Sequence, residues 1–242
     1  MRISKKSRNF AAILTCKKQD LRRGRKTTMN DLELLVAKKL LQLKCFSVQS
    51  KSPFVWANGW KSPIYFDDRK VFSYPYMRSF IKLELARMVA ELFPDADVIA
   101  GVAVNAIGHG ALVADQLALP YVYVHPTPKD HGLENQIEGD LRPRQKVVVI
   151  ENQVSMGHYA MSVVEALRNS GCSVAGVVTI FDYQLPHATK LFKEADVPLV
   201  SLTNYEALVQ QAKNDGLGKE EDWKALSDWR KNPARWKKHT KS

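Results

Sequence analysis

Four consecutive β-branched residues, Val147, Val148, Val149 and Ile150, constrain this chain more than any other feature. β-branched side chains favour extended backbone. An unbroken apolar run, as opposed to an alternating one, belongs to a strand covered on both faces, and such strands lie in parallel sheets flanked by helices. The surrounding pattern agrees. Leu32, Leu35, Val36, Leu40 and Leu43 predict an amphipathic helix over residues 31–43, with Asn30 as its N-cap. Residues 46–66 read as short strands and turns. A helix is expected over 76–92, with Phe80, Leu83, Leu85 and Val89 on its apolar side. Then come a strand over 98–102, a helix over 106–117 and a strand over 121–124. Residues 129–144 are a polar excursion. The strand at 146–150 leads into a helix over 160–170, stopped by Gly171. A strand over 174–181, a helix over 186–195, a strand over 199–202 and a helix over 220–236 complete the chain. Trp223, Trp229 and Trp236 read as packing anchors of that last helix. Alternating strands and helices define an α/β class with a mainly parallel central sheet flanked by helices.

Charge divides the chain in two. Residues 1–28 hold ten Lys or Arg against the single acid Asp20, a balance of +9 out of the overall +11. The body, residues 29–242, is therefore nearly neutral and reads as a single domain. The basic segment reads as a disordered extension, or as residues upstream of a start at Met29. Binding of nucleic acid through it is a minor alternative, as is an Arg-rich targeting role. No apolar run reaches the ~18 residues of a membrane span. Cys16, Cys45 and Cys172 lie far apart without a CxxC pair. That spacing argues against a disulfide framework and against zinc, and suits a reducing cytoplasm. His109, His125, His131 and His158 match no common metal-ligand spacing, so no metal-binding residue is expected.

The strand at 146–150 ends in Glu151-Asn152, followed by Gln153-Val154-Ser155-Met156-Gly157-His158-Tyr159 and a helix. In an open α/β sheet, ligands bind beyond the carboxyl ends of strands, and a loop entering a helix can present backbone N–H groups to a phosphate. Three further segments stand out: Asn58-Gly59-Trp60-Lys61-Ser62-Pro63-Ile64-Tyr65-Phe66, then Lys129-Asp130-His131-Gly132, and Ile137-Glu138-Gly139-Asp140-Leu141. Together with Ile99-Ala100-Gly101-Val102-Ala103, these resemble, in order, the motifs of the orotate phosphoribosyltransferases of the type I phosphoribosyltransferase fold. The spelling is closest to the Bacteroides-like bacterial type, and the resemblance spans residues 29–237.

The resemblance implies a parallel sheet with a small N-terminal hood, a homodimer, and the substrates orotate and phosphoribosyl pyrophosphate, with Mg2+ carried by the pyrophosphate. It implies that Lys129, His131 and Glu151 are catalytic: Lys129 and His131 on a mobile loop, Glu151 holding the ribose hydroxyls. It places Lys61, Tyr65 and Phe66 beside the base and pyrophosphate. Asn152, Ser155, Met156, Gly157, His158 and Tyr159 then line the phosphoribosyl site, and His125 reaches toward pyrophosphate. Several of these depart from the family pattern. Asn152 stands for a second acid, Met156 for a threonine, His158 for a glycine and Tyr159 for a small hydroxyl residue. Val104-Asn105 stands for Thr-Gly, and His125 for an arginine. If position 158 needs positive φ, its side chain costs ~1–2 kcal/mol. The reading is an orotate phosphoribosyltransferase with reduced activity. The alternative is a non-catalytic orotate- or nucleotide-binding homologue, or a disabled variant, on the same scaffold.

Overall fold

The computed structural model describes residues 31–56, 59–127 and 136–236. Residues 1–28, Asn30, Asn58 and the Lys129–Gly132 motif lie outside them. In chain order the elements are α1 (Asp31–Gln42), β1 (Phe46–Val48), β2 (Phe54–Val55), β3 (Lys61–Ser62), β4 (Ile64–Phe66), a 3-10 turn (Asp68–Ser73), α2 (Pro75–Leu92), β5 (Val98–Val102), α3 (Ile107–Leu117), β6 (Tyr121–Val124), β7 (Ile137–Glu138), β8 (Lys146–Val154), α4 (His158–Asn169), β9 (Ser173–Asp182), α5 (Pro186–Glu194), β10 (Leu199–Asn204), α6 (Tyr205–Asn214) and α7 (Glu220–Lys231). The chain divides into two compact units. One is residues 80–202; the other is residues 32–79 with the chain from 203 onward.

The first unit is built around the central sheet, in the order β10-β9-β8-β5-β6-β7. Strands β6, β5, β8 and β9 run parallel, and β7 is antiparallel to β6. Val147 to Ile150 are fully buried, as an unbroken apolar run requires. Val147 and Val149 sit in a core shared with Val98, Ala100, Val163, Leu167 and Val177, while Val148 and Ile150 face the other side of the sheet. Helix α3 lies tight on β5 because both contact positions are glycines. A Cβ on Gly101 would come 3.0 Å from the Ala106 carbonyl, and one on Gly110 would come 2.8 Å from the Tyr121 ring. The Tyr121 hydroxyl donates to the Ile107 carbonyl at 2.8 Å, closing that corner. Burial, the main cause, pushes the Tyr121 phenol well above its ordinary pKa.

In the second unit β1 pairs antiparallel with β4, and β2 with β3. Helix α7 is tied to the segment between them. Ser50 donates to Asp222 at 2.8 Å, and Trp56 meets the fully buried Trp229 edge to face at 5.5 Å. The Thr203 hydroxyl donates to the Glu33 carbonyl of α1 at 2.8 Å.

Several boundaries and faces differ from the sequence reading. The buried stripe of α2 is Met77, Ile81, Leu85, Met88 and Val89, and Leu83 is exposed. Leu83 sits two residues from both Ile81 and Leu85, which at 3.6 residues per turn is the opposite face. Leu35 is exposed for the same reason, and Val36, Ala37 and Leu40 carry the burial of α1. Helix α7 stops at Lys231 and not at 236, because Pro233 disfavours helical backbone at Asn232. Helix α6 was not foreseen. Its N-cap Asn204 accepts from the Ala207 N–H at 2.9 Å. Strand β8 runs to Val154 and α4 begins at His158, so the connection between them is shorter than expected. No helix among the described residues is long and apolar enough to cross a membrane.

Candidate functional site

Sheet order locates the site. From β5 the chain moves outward on one side to β6, then returns across β5 to β8, and continues outward to β9 and β10. The direction of winding reverses between β5 and β8. In parallel sheets the crevice beyond the carboxyl ends of such a strand pair is where ligands bind. The two loops facing it follow Val102 and Val154.

At the β8 end, Glu151 and Asn152 are still strand residues, 5% and 3% exposed, with Glu151 paired to Thr179 of β9. The Asn152 backbone N–H donates to the Glu151 carboxylate at 2.9 Å. Three residues, Ser155, Met156 and Gly157, then turn the chain into α4. Gly157 adopts φ +82°, and a Cβ there would lie 3.1 Å from the Phe192 ring of α5. The turn therefore needs its glycine for both conformation and space. His158 is the first residue of α4 and does not have positive φ. The strain expected at position 158 is thus not incurred; the left-handed residue is Gly157. The opening turn of α4 leaves backbone N–H groups without intrahelical acceptors, which suits an anion. Ser155 and Met156 are half-buried, while His158 and Tyr159 are exposed. The His158 ring lies 4.9 Å from that of His187, at the start of α5.

At the β5 end, Val104 and Asn105 are exposed beyond a cis peptide between Ala103 and Val104. At the β6 end, the His125 N–H donates to the Gln136 carbonyl at 2.8 Å, and the Gln136 amide donates back to the His125 carbonyl at 3.0 Å. This closes the base of the segment carrying Lys129 and His131. The Ser162 hydroxyl of α4 donates to the Pro126 carbonyl, joining Pro126 to that helix. The His125 ring packs edge to face on Tyr123 at 5.7 Å, and among the described residues its buried Nε2 has no hydrogen-bond partner.

In the second unit, Lys61 is half-buried on β3 and Tyr65 is exposed on β4, its ring 5.4 Å from Phe54. Phe66, expected beside the base, is 2% exposed and stacked on Phe46 at 4.5 Å, so its side chain lies in the core. Ser62 anchors the strap between them, donating to the Ile64 carbonyl at 2.8 Å. Just beyond, a 2.6 Å hydrogen bond from the Arg69 guanidinium holds the Asp67 carboxyl below its ordinary range.

Three residues beside these loops escaped the sequence reading: Ser162 on α4, Gln136 beyond β6 and His187 on α5. Ser162 and Gln136 act through backbone carbonyls, which leave no motif. His187 stands far from His158 in sequence and meets it only because α4 and α5 lie side by side.

No family model matches the chain. Among known proteins, an orotate phosphoribosyltransferase of Bacteroides fragilis is 55% identical over 208 residues, covering 86% of this chain and 98% of that one. One from Listeria monocytogenes is 43% identical over 207 residues, 86% of this chain and 99% of that one. This chain belongs to the orotate phosphoribosyltransferase family. The fold agrees. The crystal structure of the Aeropyrum pernix orotate phosphoribosyltransferase superposes with a TM-score of 0.65 at 27% identity, over 76% of this chain and 99% of that one. Membership assigns the α/β architecture to the type I phosphoribosyltransferase fold and the chain to pyrimidine synthesis.

Proposed function

We propose that this chain transfers ribose 5-phosphate from phosphoribosyl pyrophosphate to a ring nitrogen of orotate, more slowly than its relatives. The bond from the anomeric carbon to pyrophosphate breaks, the nitrogen–carbon bond forms, and orotidine 5′-phosphate and pyrophosphate leave. The observation carrying this reading is the buried acid Glu151 at the β8 terminus, a few residues ahead of the positive-φ Gly157 that opens α4. Such chemistry passes through an oxocarbenium-like state, to which a protein contributes mainly positioning and charge. In this reading Glu151 holds the ribose hydroxyls, and Ser155, Gly157 and the α4 N–H groups hold the 5′-phosphate, with Met156 and Tyr159 lining it. Lys61 and Tyr65 meet the base and pyrophosphate, with Phe66 packed beneath them. Lys129, His131 and His125 act on the pyrophosphate side. Magnesium would arrive bound to the substrate's pyrophosphate, where it would neutralise the phosphate charge. The enzyme is a homodimer working in the cytoplasm, and residues 1–28 lie outside its catalytic domain, residues 29–242.

Slowness follows from Asn152. An amide can hydrogen-bond a hydroxyl but brings no negative charge to a cationic ribose. A charge-assisted bond is worth ~1.5–3 kcal/mol, one to two decades in rate. Met156 also offers no hydroxyl to phosphate. The test is steady-state loss of orotate with phosphoribosyl pyrophosphate and magnesium, assayed beside the Bacteroides fragilis enzyme. Slow, orotate-dependent pyrophosphate release supports the proposal. A second reading, a binding-only homologue, rests on the same neutral Asn152. Micromolar calorimetric binding of phosphoribosyl pyrophosphate with no turnover over days would favour it.

A further inference from the structure

His187 belongs to none of the motifs that carry the family resemblance, yet its ring lies against His158, the first residue after the positive-φ Gly157. Gly157 packs on α5: a Cβ there would touch Phe192 at 3.1 Å, Leu191 at 3.4 Å and Ala188 at 3.6 Å. Helix α5 is thus the wall of the phosphate-loop turn. Pro186 begins that wall and His187 follows it, on the side where α4 also begins. The rings of His158 and His187 lie 4.9 Å apart, tilted by 54°, and both side chains are exposed. Two tilted imidazoles in contact on a surface gain little from one another. They gain much more from a shared anion, because each nitrogen can carry an N–H toward it and a dianion favours the protonated ring. A transition metal would be the other shared ligand. Among the described residues, however, no group of three His, Cys, Asp or Glu is placed to hold a metal ion, and two ligands make a weak site.

We propose that His158 and His187 together form a phosphate-binding pincer at the mouth of the β8–α4 turn, with His187 the second half of the site that His158 begins. The pincer takes a phosphate monoester dianion, and it rests on the reading above for the identity of that monoester, the 5′-phosphate of phosphoribosyl pyrophosphate. The imidazoles stand in for the hydrogen bonds that a second glycine and a small hydroxyl residue would leave to the backbone and side chain of the turn.

The test uses the full chain and the variants His187→Gln and His158→Gln. Inorganic phosphate is titrated calorimetrically and by imidazole proton resonances, and phosphoribosyl pyrophosphate by steady-state kinetics. Each variant is expected to weaken phosphate binding about tenfold, the loss of one charge-assisted bond. The double variant, lacking both bonds, should weaken it about a hundredfold. Both imidazoles should shift together on adding phosphate, and the KM for phosphoribosyl pyrophosphate should rise with kcat held within about twofold. Unchanged phosphate affinity in His187→Gln, or zinc alone shifting both rings at concentrations where phosphate does not, overturns the pincer. Failure of the functional reading looks different. If wild type never turns over orotate but His187→Gln still weakens phosphate binding, the pincer stands and the assigned reaction falls. If wild type turns over and His187→Gln matches it in phosphate affinity and KM, the reverse holds.

Discussion

On the proposed reading, Asn152 is the residue at which activity and stability pull in opposite directions. It is 3% exposed, beside the equally enclosed Glu151. A carboxylate in its place would add a second buried negative charge on adjacent residues, which disfavours ionisation of both. Asn152→Asp should raise kcat by ten- to a hundredfold, by the charge-assisted bond it restores. It should also lower the stability of the ligand-free protein by about 1–3 kcal/mol. Turnover kinetics and urea denaturation check the two halves, and magnesium with phosphoribosyl pyrophosphate should recover the lost stability. Gly157→Ala should cost about 1–2 kcal/mol from the positive φ alone, and more from contact with Phe192. A drop in Tm of at least 2 °C is the expected reading. Cys45 offers a pH test. Its thiol is 1% exposed, and burial, the largest cause, pushes its pKa from 9.0 up to about 12. The neutral thiol is thus favoured by folding. Its stabilising contribution is complete below the unfolded value near 9.0 and is lost as pH rises toward about 12. At pH 8 the native protein should resist iodoacetamide at Cys45, and the urea-unfolded chain should not; equal labelling rates by mass spectrometry would contradict the burial argument. At this scale Gly157 was legible as a loop glycine because a turn into a helix needs one. The conformational demand at 158 was misplaced by one residue, since sequence shows a glycine's absence but not where φ turns positive. His187 was invisible because its partner arrives through packing.

At the scale of elements, apolar pattern predicted existence better than phase or ends. Val147 to Ile150 announced a doubly covered strand, and the strand is there. Its extension through Glu151, Asn152 and Gln153 was hidden because polar residues at a strand's end read as loop. They remain extended because β9 continues beside them as far as Val154 opposite Asp182. Helix α6 was missed because Tyr205 to Asn214 is polar on most of its surface. Ala207, Leu208, Gln211 and Ala212 are its buried face, and the Asn204 cap was the available signal. The tryptophans locate helix α7 but overrun its end, since Trp236 lies beyond Lys231, and Trp229 is the anchor. It is fully buried against Trp56 and Tyr205, the latter at 6.4 Å. Trp229→Ala should cost about 3–5 kcal/mol. Differential scanning calorimetry should then show a Tm lower by roughly 6–20 °C. A shift under 2 °C would mean that α7 is not held by this contact.

At the scale of the molecule, the winding reversal between β5 and β8 accounts for why the chemistry gathers where it does. Parallel strands place all their carboxyl-terminal loops on one edge, and the reversal opens a crevice between two of them. The family's scaffold is intact there: the buried strands, the close α3–β5 contact through Gly101 and Gly110, and the positive-φ turn at Gly157. The proposed departures, Asn152, Met156, His158 and Tyr159, lie at the end of β8, in the turn and at the start of α4. On the proposed reading, such a chain keeps its fold and its substrate class and turns over slowly. The most direct measurement is steady-state orotate consumption by the wild type, by the Bacteroides fragilis enzyme, and by a variant carrying Asn152→Asp, Met156→Thr, His158→Gly and Tyr159→Ser together. The expected result is a wild-type rate well below the relative's, raised by several decades in the fourfold variant. Equal turnover by wild type and relative, or no gain in the fourfold variant while it remains folded, would contradict the account.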